Sequence, residues 1–238
     1  MQEYSSIDNL LFVVFGFLLI LWPYSSTAGV DSAEVRAKFE EEYNRPIKEP
    51  LSIRILRSTI GPEEWWKYRR IADLGPAVIP HIIEKMEAGD FFITLSLQMI
   101  TKKFFEKEEY KSFGCRDSRD EAKLYIYWWR EGRKQTPQRF KKLYTEWQSL
   151  RKEGETEKAK EKYQWIIDMG IIVLPYLIEK ISEGDTALIP AVSELTDGEV
   201  KEDATPEECV RWWKENKERW YIPIEGDPGE EEIKKDDK

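Results

Sequence analysis

The sequence predicts an all-α protein, an alpha-solenoid-like array of about ten helices built from two tandem copies of a five-helix unit, preceded by an N-terminal hydrophobic export segment. Three observations carry this expectation. A stretch of 24 residues recurs further along the chain, apolar side chains follow helical spacing in both copies, and helix start and stop residues bracket the segments.

The chain opens on an unbroken apolar run from Leu10 to Trp22 without a charge. Thirteen residues fall short of the roughly 20 that span a bilayer and fit the roughly 7 to 15 of a signal peptide's central region. Pro23 follows, and Ser26 and Ala28 stand three and one residues before a cleavage point ahead of Gly29. Glu3 and Asp8 precede the run with no Lys or Arg, so a second reading stays open: a short uncleaved anchor over residues 7–24, the one part that would touch a membrane. Residues 1–28 are thus a signal peptide or anchor, and both readings place the body outside the cytoplasm.

Two copies follow, residues 29–135 and 136–223. Residues 67–90 (KYRRIADLGPAVIPHIIEKMEAGD) align without a gap on 162–185 (KYQWIIDMGIIVLPYLIEKISEGD), and 12 of the 24 positions are identical. Phe39 and Tyr43 correspond to Phe140 and Tyr144, and Trp128 and Trp129 to Trp212 and Trp213. The offset falls along the chain, from 101 at Tyr43 to 95 at Lys67 and 84 at Trp128, so copy 1 carries extra residues near 46–60 and 102–117. Length differences of this kind belong between elements.

Within copy 2, Thr136 and Pro137 open a helix with Phe140, Leu143, Tyr144, Trp147 and Leu150 on one face, closed by Gly154. Ala159, Tyr163, Ile166 and Ile167 repeat the pattern up to Gly170. Pro175 sits in a first turn, where a missing N–H costs nothing, and Gly184 ends that helix. Asp185 and its counterpart Asp90 are expected as N-caps of the next helix. Thr205 with Glu208, and Ser118 with Glu121, have the spacing of a capping box. Residues 224–238 are an acidic tail too polar to pack.

The repeated string, a helix ending in Asp-Leu-Gly or Asp-Met-Gly followed by VIPHIIEKM or VLPYLIEKI and then Gly-Asp, resembles HEAT-like repeats over residues 65–101 and 161–196. The ending Trp212-Trp213-Lys214-Glu215-Asn216-Lys217 is similar to that of exported bacterial HEAT-repeat proteins. The resemblance implies an alpha-helical array that binds other macromolecules and names no ligand. The period near 95 is about twice that of a single HEAT repeat, which points to a compact array with short curvature.

Composition narrows the partners. A net charge of −9 repels phosphate backbones, so nucleic acid is excluded as a partner class. One His and two separated Cys cannot supply a zinc set, and no phosphate loop, nucleophile elbow or calcium loop is present, so neither cofactor nor catalysis is expected. Cys115 and Cys209 are either a bridged pair closing a long loop or two small buried hydrophobes. His81 has Tyr176 as its counterpart, so its slot accepts an aromatic ring and calls for no imidazole chemistry. Asp73 and Asp168 precede a helix-ending Gly, an unfavourable place for a carboxylate, and are expected to hold a tertiary hydrogen bond.

Nine tryptophans outside the leader, six of them in adjacent pairs, are the most unusual feature. Neighbours on a helix point about 100° apart, so one ring of each pair is central and its partner lies at the flank. Tyr127, Trp128 and Trp212 are therefore the candidate binding residues for a protein or peptide partner, with carbohydrate binding on aromatic platforms as the alternative. Tyr127 has Arg211 as its counterpart, so that face is solvated in copy 2; in copy 1 the inserted segment 105–116 is expected to fold over the ring.

Overall fold

The computed structural model describes residues 32–46 and 62–222, and every regular element among them is helical. The export segment, the segment near 46–60 from Ile47 onward and the acidic tail lie outside the described residues. Eleven α-helices are described: α1 Ser32–Asn44, α2 Pro62–Ala72, α3 Ile79–Glu87, α4 Thr94–Thr101, α5 Lys107–Phe113, α6 Ser118–Arg130, α7 Thr136–Glu153, α8 Thr156–Ile167, α9 Leu174–Ser182, α10 Ile189–Leu195 and α11 Pro206–Trp220. None is both long and apolar enough to cross a membrane.

The elements of the two segments keep step. Short 3-10 turns at Pro76–Val78 and Phe91–Ile93 reappear at Ile171–Val173 and Thr186–Leu188, each running directly into the next helix. Packing keeps step too: α1 on α2, α2 on α4, α3 on α4 and α3 on α6 are matched by α7 on α8, α8 on α10, α9 on α10 and α9 on α11. Among the described residues the one α-helix without a counterpart is α5, which occupies the longer insertion of the first segment.

Local chemistry explains the boundaries. Thr205 accepts from the Glu208 N–H at 3.2 Å while Glu208 accepts from the Thr205 N–H at 2.8 Å, a reciprocal box as the spacing suggests. At α6 the cap moves one residue earlier: Asp117 accepts from the N–H groups of Arg119 and Asp120, because its carboxylate reaches both orphan donors at once. Thr136 lies inside α7, and its hydroxyl donates to the Arg133 carbonyl at 2.6 Å. Asp73 accepts from Arg69 and Asp168 from Gln164, each one turn back, at 2.9 Å.

One apolar core runs through both segments, with Ile71, Ile79, Ile82 and Leu97 from the first and Ile166, Leu174, Leu177 and Val192 from the second all but sealed from water. The equivalent aromatic corners are close copies. Phe39 stacks on Tyr43 at 5.8 Å and lies 5.5 Å from His81; Phe140 stacks on Tyr144 at 5.7 Å and lies 5.4 Å from Tyr176. His81 is thus one ring in a conserved-geometry corner. The phenols of Tyr43 and Tyr144 donate to Asp90 and Asp185 at 2.9 and 2.8 Å. Asp185 also caps, accepting from the Ala187 N–H, whereas Asp90 makes no capping bond and serves the phenol alone.

Candidate functional site

The insertion that sets the first segment apart also builds the most distinctive surface. Residues 102–117 leave the end of α4, where Lys102 takes a left-handed turn, and form α5 against α6. No residue of α5 is buried. Aromatic rings fix its underside: Phe105 meets Tyr125 edge-on at 4.7 Å and Tyr110 at 5.9 Å, and Phe113 leans on Tyr127 at 5.9 Å with the planes tilted by 39°. Tyr127 keeps 50% of its surface and Phe113 39%, so the two rings form an open ledge.

Beneath the ledge lies a charged cluster that joins the two segments. Arg139 on α7 holds Glu106 at 2.8 Å and Glu109 at 2.5 Å through separate guanidinium nitrogens, the forked geometry that suits arginine. Glu109 also accepts from the Glu106 N–H and lies 3.8 Å from the Lys103 ammonium. Lys103 is nearly sealed, donates to the Phe104 carbonyl and sits 4.2 Å over the Phe105 ring. Burial lowers its pKa to about 8 against the pull of Glu109. Burial opposes ionisation of Glu109, but Arg139 and Lys103 outweigh it and keep that carboxyl below its ordinary value; for Glu106 burial prevails and raises it. The Tyr125 hydroxyl donates to the Lys103 carbonyl at 2.7 Å, and Gln98 donates to Tyr125 and Glu121 at 3.1 Å. Tyr110 donates to Glu121 at 2.9 Å, which, with burial, raises its pKa. No single residue type announces such a cluster in sequence; the only sign was the insertion itself.

The three aromatic candidates part company. Tyr127 is half open, which corrects the expectation that the insert covers it: α5 packs on α6 and sets Phe113 against the ring without closing over it. Trp128 is 5% exposed and belongs to the core, packed edge-on against Tyr125, so it cannot meet a partner. Trp212 is half-buried, between Trp213 at 6.4 Å and Trp220 at 6.0 Å. In α6 the first tryptophan of the pair faces the core, and in α11 the second does, Trp213. At Gly132 the chain turns tightly over the Trp128 indole: a Cβ there would lie 3.3 Å from the ring.

Cys115 and Cys209 are both free thiols, Cys209 buried in the core and Cys115 part-exposed after α5. Among the described residues no cluster of His, Cys, Asp and Glu is arranged to hold a metal ion. The grooves flanking the α7–α8 pair are open; one is lined by Leu150, Trp165, Glu146 and Lys162, the other by Trp147, Arg151, Tyr163 and Pro190. No family model matches the sequence, and comparison with curated proteins and with solved structures finds no match.

Proposed function

We propose that the chain is an extracytoplasmic, HEAT-like alpha-solenoid module that binds a protein or peptide partner, without catalysis, through the Phe113–Tyr127 ledge. The observation that carries this reading is the half-exposed Tyr127 ring, placed beside Phe113 by an element that the second segment lacks, where Arg211 stands at the equivalent position. Large exposed rings side by side are unfavourable in water and are typical anchors of interfaces. Their 39° tilt makes an uneven apolar surface, which suits a peptide side chain better than a sugar, since a sugar stacks on a flat face.

The test is site-directed photo-crosslinking in the native envelope, with a benzophenone side chain at position 127 and, as control, at the exposed Lys152. A discrete adduct from 127 that is absent from 152 supports the ledge as the docking face. Equal adducts from both positions would remove it.

A further inference from the structure

The ledge is the visible edge of a larger face that α5 itself occupies. Leu124 is 5% exposed yet is not part of the main core, while its neighbours Ala122, Tyr125 and Trp128 are. At the positions equivalent to Leu124 and Tyr127 the second segment has Glu208 and Arg211, side chains suited to water. The packing of the helical unit therefore does not require an apolar surface there. In the first segment that face carries Leu124 and Tyr127, with Phe113 of α5 against the Tyr127 ring.

The hold on α5 is slight. It buries no residue of its own and is fastened by the Arg139 fork on Glu106 and Glu109, by the Tyr110–Glu121 bond and by ring edges. An element with few buried contacts and partly solvated polar bonds opens locally at low free energy. Arg139 belongs to the other segment, and release of α5 would leave its part-exposed guanidinium without the two carboxylates it holds, open to a new acidic partner.

Resting on the reading of the ledge as a docking face, we infer that α5 is a displaceable strap and that the partner is a segment of the same chemistry. That segment is an acidic amphipathic helix with two carboxylates three residues apart for Arg139 and two aromatic rings three residues apart for α6, as Glu106 and Glu109, Tyr110 and Phe113 are in α5. The partner replaces the strap contact for contact. The tether gives the strap an effective concentration on the order of mM, so it excludes a weak competitor and yields to a longer, tighter one.

The probe is a fluorescein-labelled synthetic peptide of residues 105–114, FEKEEYKSFG, titrated against the full chain. The wild type should show no saturable binding up to about 1 mM, because its own strap competes. Glu106→Lys with Glu109→Lys places two more cations beside Lys103 and Arg139, expels the strap and should bind the peptide at least about ten-fold more tightly. Adding Arg139→Glu should abolish that gain, and a scrambled peptide should not bind. A folded double variant that binds no better than wild type, or that binds the scrambled peptide equally, overturns the inference.

Hydrogen exchange on the wild-type chain tests the strap without any variant. Amides of α5 should exchange at least about ten-fold faster than those of α6 and α7. Equal protection of α5 and α6 overturns the strap even if crosslinking at position 127 still finds a partner. Loss of that crosslink alone, with exchange and peptide binding as expected, overturns the docking reading and leaves the strap.

Discussion

Gly170 lies hard against the backbone of Thr101: a Cβ on Gly170 would fall within 3.0 Å of the Thr101 carbonyl oxygen, closer than side chains approach backbone. The contact joins the end of α4 to the turn after α8, and beside it the Phe104 N–H donates to the Asp168 carbonyl at 2.9 Å. Gly75 holds the equivalent turn in the first segment with nearly the same φ, 78° against 83°, but faces open space. With ψ of −169° both lie in a region open essentially to glycine alone, so alanine at either position costs about 1–3 kcal/mol in the backbone. Only Gly170→Ala must also push two segments apart, which adds about 1–3 kcal/mol of overpacking. Urea unfolding should therefore rank Gly170→Ala well below Gly75→Ala; equal losses would show that the junction yields freely.

The Lys103 ammonium predicts an unusual pH dependence. Its pKa is lowered from 10.5 to about 8 chiefly by burial, with Arg139 adding to the effect and Glu109, Asp168 and Glu106 opposing it. Between those two values the unfolded chain binds a proton that the folded chain has released, so stability rises with pH across the window. From pH 8 to 9.5 the gain should be about 1.5 kcal/mol, and below pH 8 the folded state carries the full cost of the buried charge. Lys103→Met should lose this rise, measured by denaturant titration at each pH. A wild-type curve flat from pH 8 to 9.5 would show that the amine is solvated.

The paired phenols give a test of equivalence. Tyr43 and Tyr144 each donate to the carboxylate that opens the next 3-10 turn, and the flanking Phe rings stack alike. Their surroundings differ: Lys67 and Lys85 lie 4.1 and 4.4 Å over the Tyr43 ring, whereas Gln148 shares Asp185 with Tyr144. Removing one hydrogen bond to a charged acceptor costs about 1.5–3 kcal/mol when buried and less when part-exposed. Tyr43→Phe should cost about 1–2 kcal/mol and Tyr144→Phe less, since Gln148 still serves Asp185. Thermal unfolding of the two variants side by side measures the difference.

The all-helical class and most helix positions were legible because they rest on local signals: Gly154 and Gly170 end helices, Pro175 sits in a first turn, and Thr205 with Glu208 closes a box. What failed depended on competition among neighbours. Asp117 out-competed Ser118 as a cap, and Asp168 accepts from Gln164 one turn back. The site was less legible still. Helical phase puts one ring of each pair inward without saying which: it is Trp213 in α11 but Trp128 in α6. Arg139, Glu106 and Glu109 meet only because an insertion in one segment crosses a helix of the other, a relation that no periodicity encodes.

Tyr127 and Trp128, adjacent on α6, should separate surface from core in a single comparison. Trp128 is 5% exposed among Tyr125, Trp129 and Gly132, and its truncation would leave a cavity that the tight turn over the indole cannot close. Trp128→Ala should cost about 3–5 kcal/mol, as should Trp213→Ala in α11. Tyr127 is 50% exposed and touches only Phe113 among the rings, so Tyr127→Ala should stay within about 1 kcal/mol of wild type. Urea denaturation decides the order. A loss above about 2 kcal/mol for Tyr127→Ala would mean that its ring supports the fold by holding α5 down, and the ledge would then be a structural seam rather than a docking face.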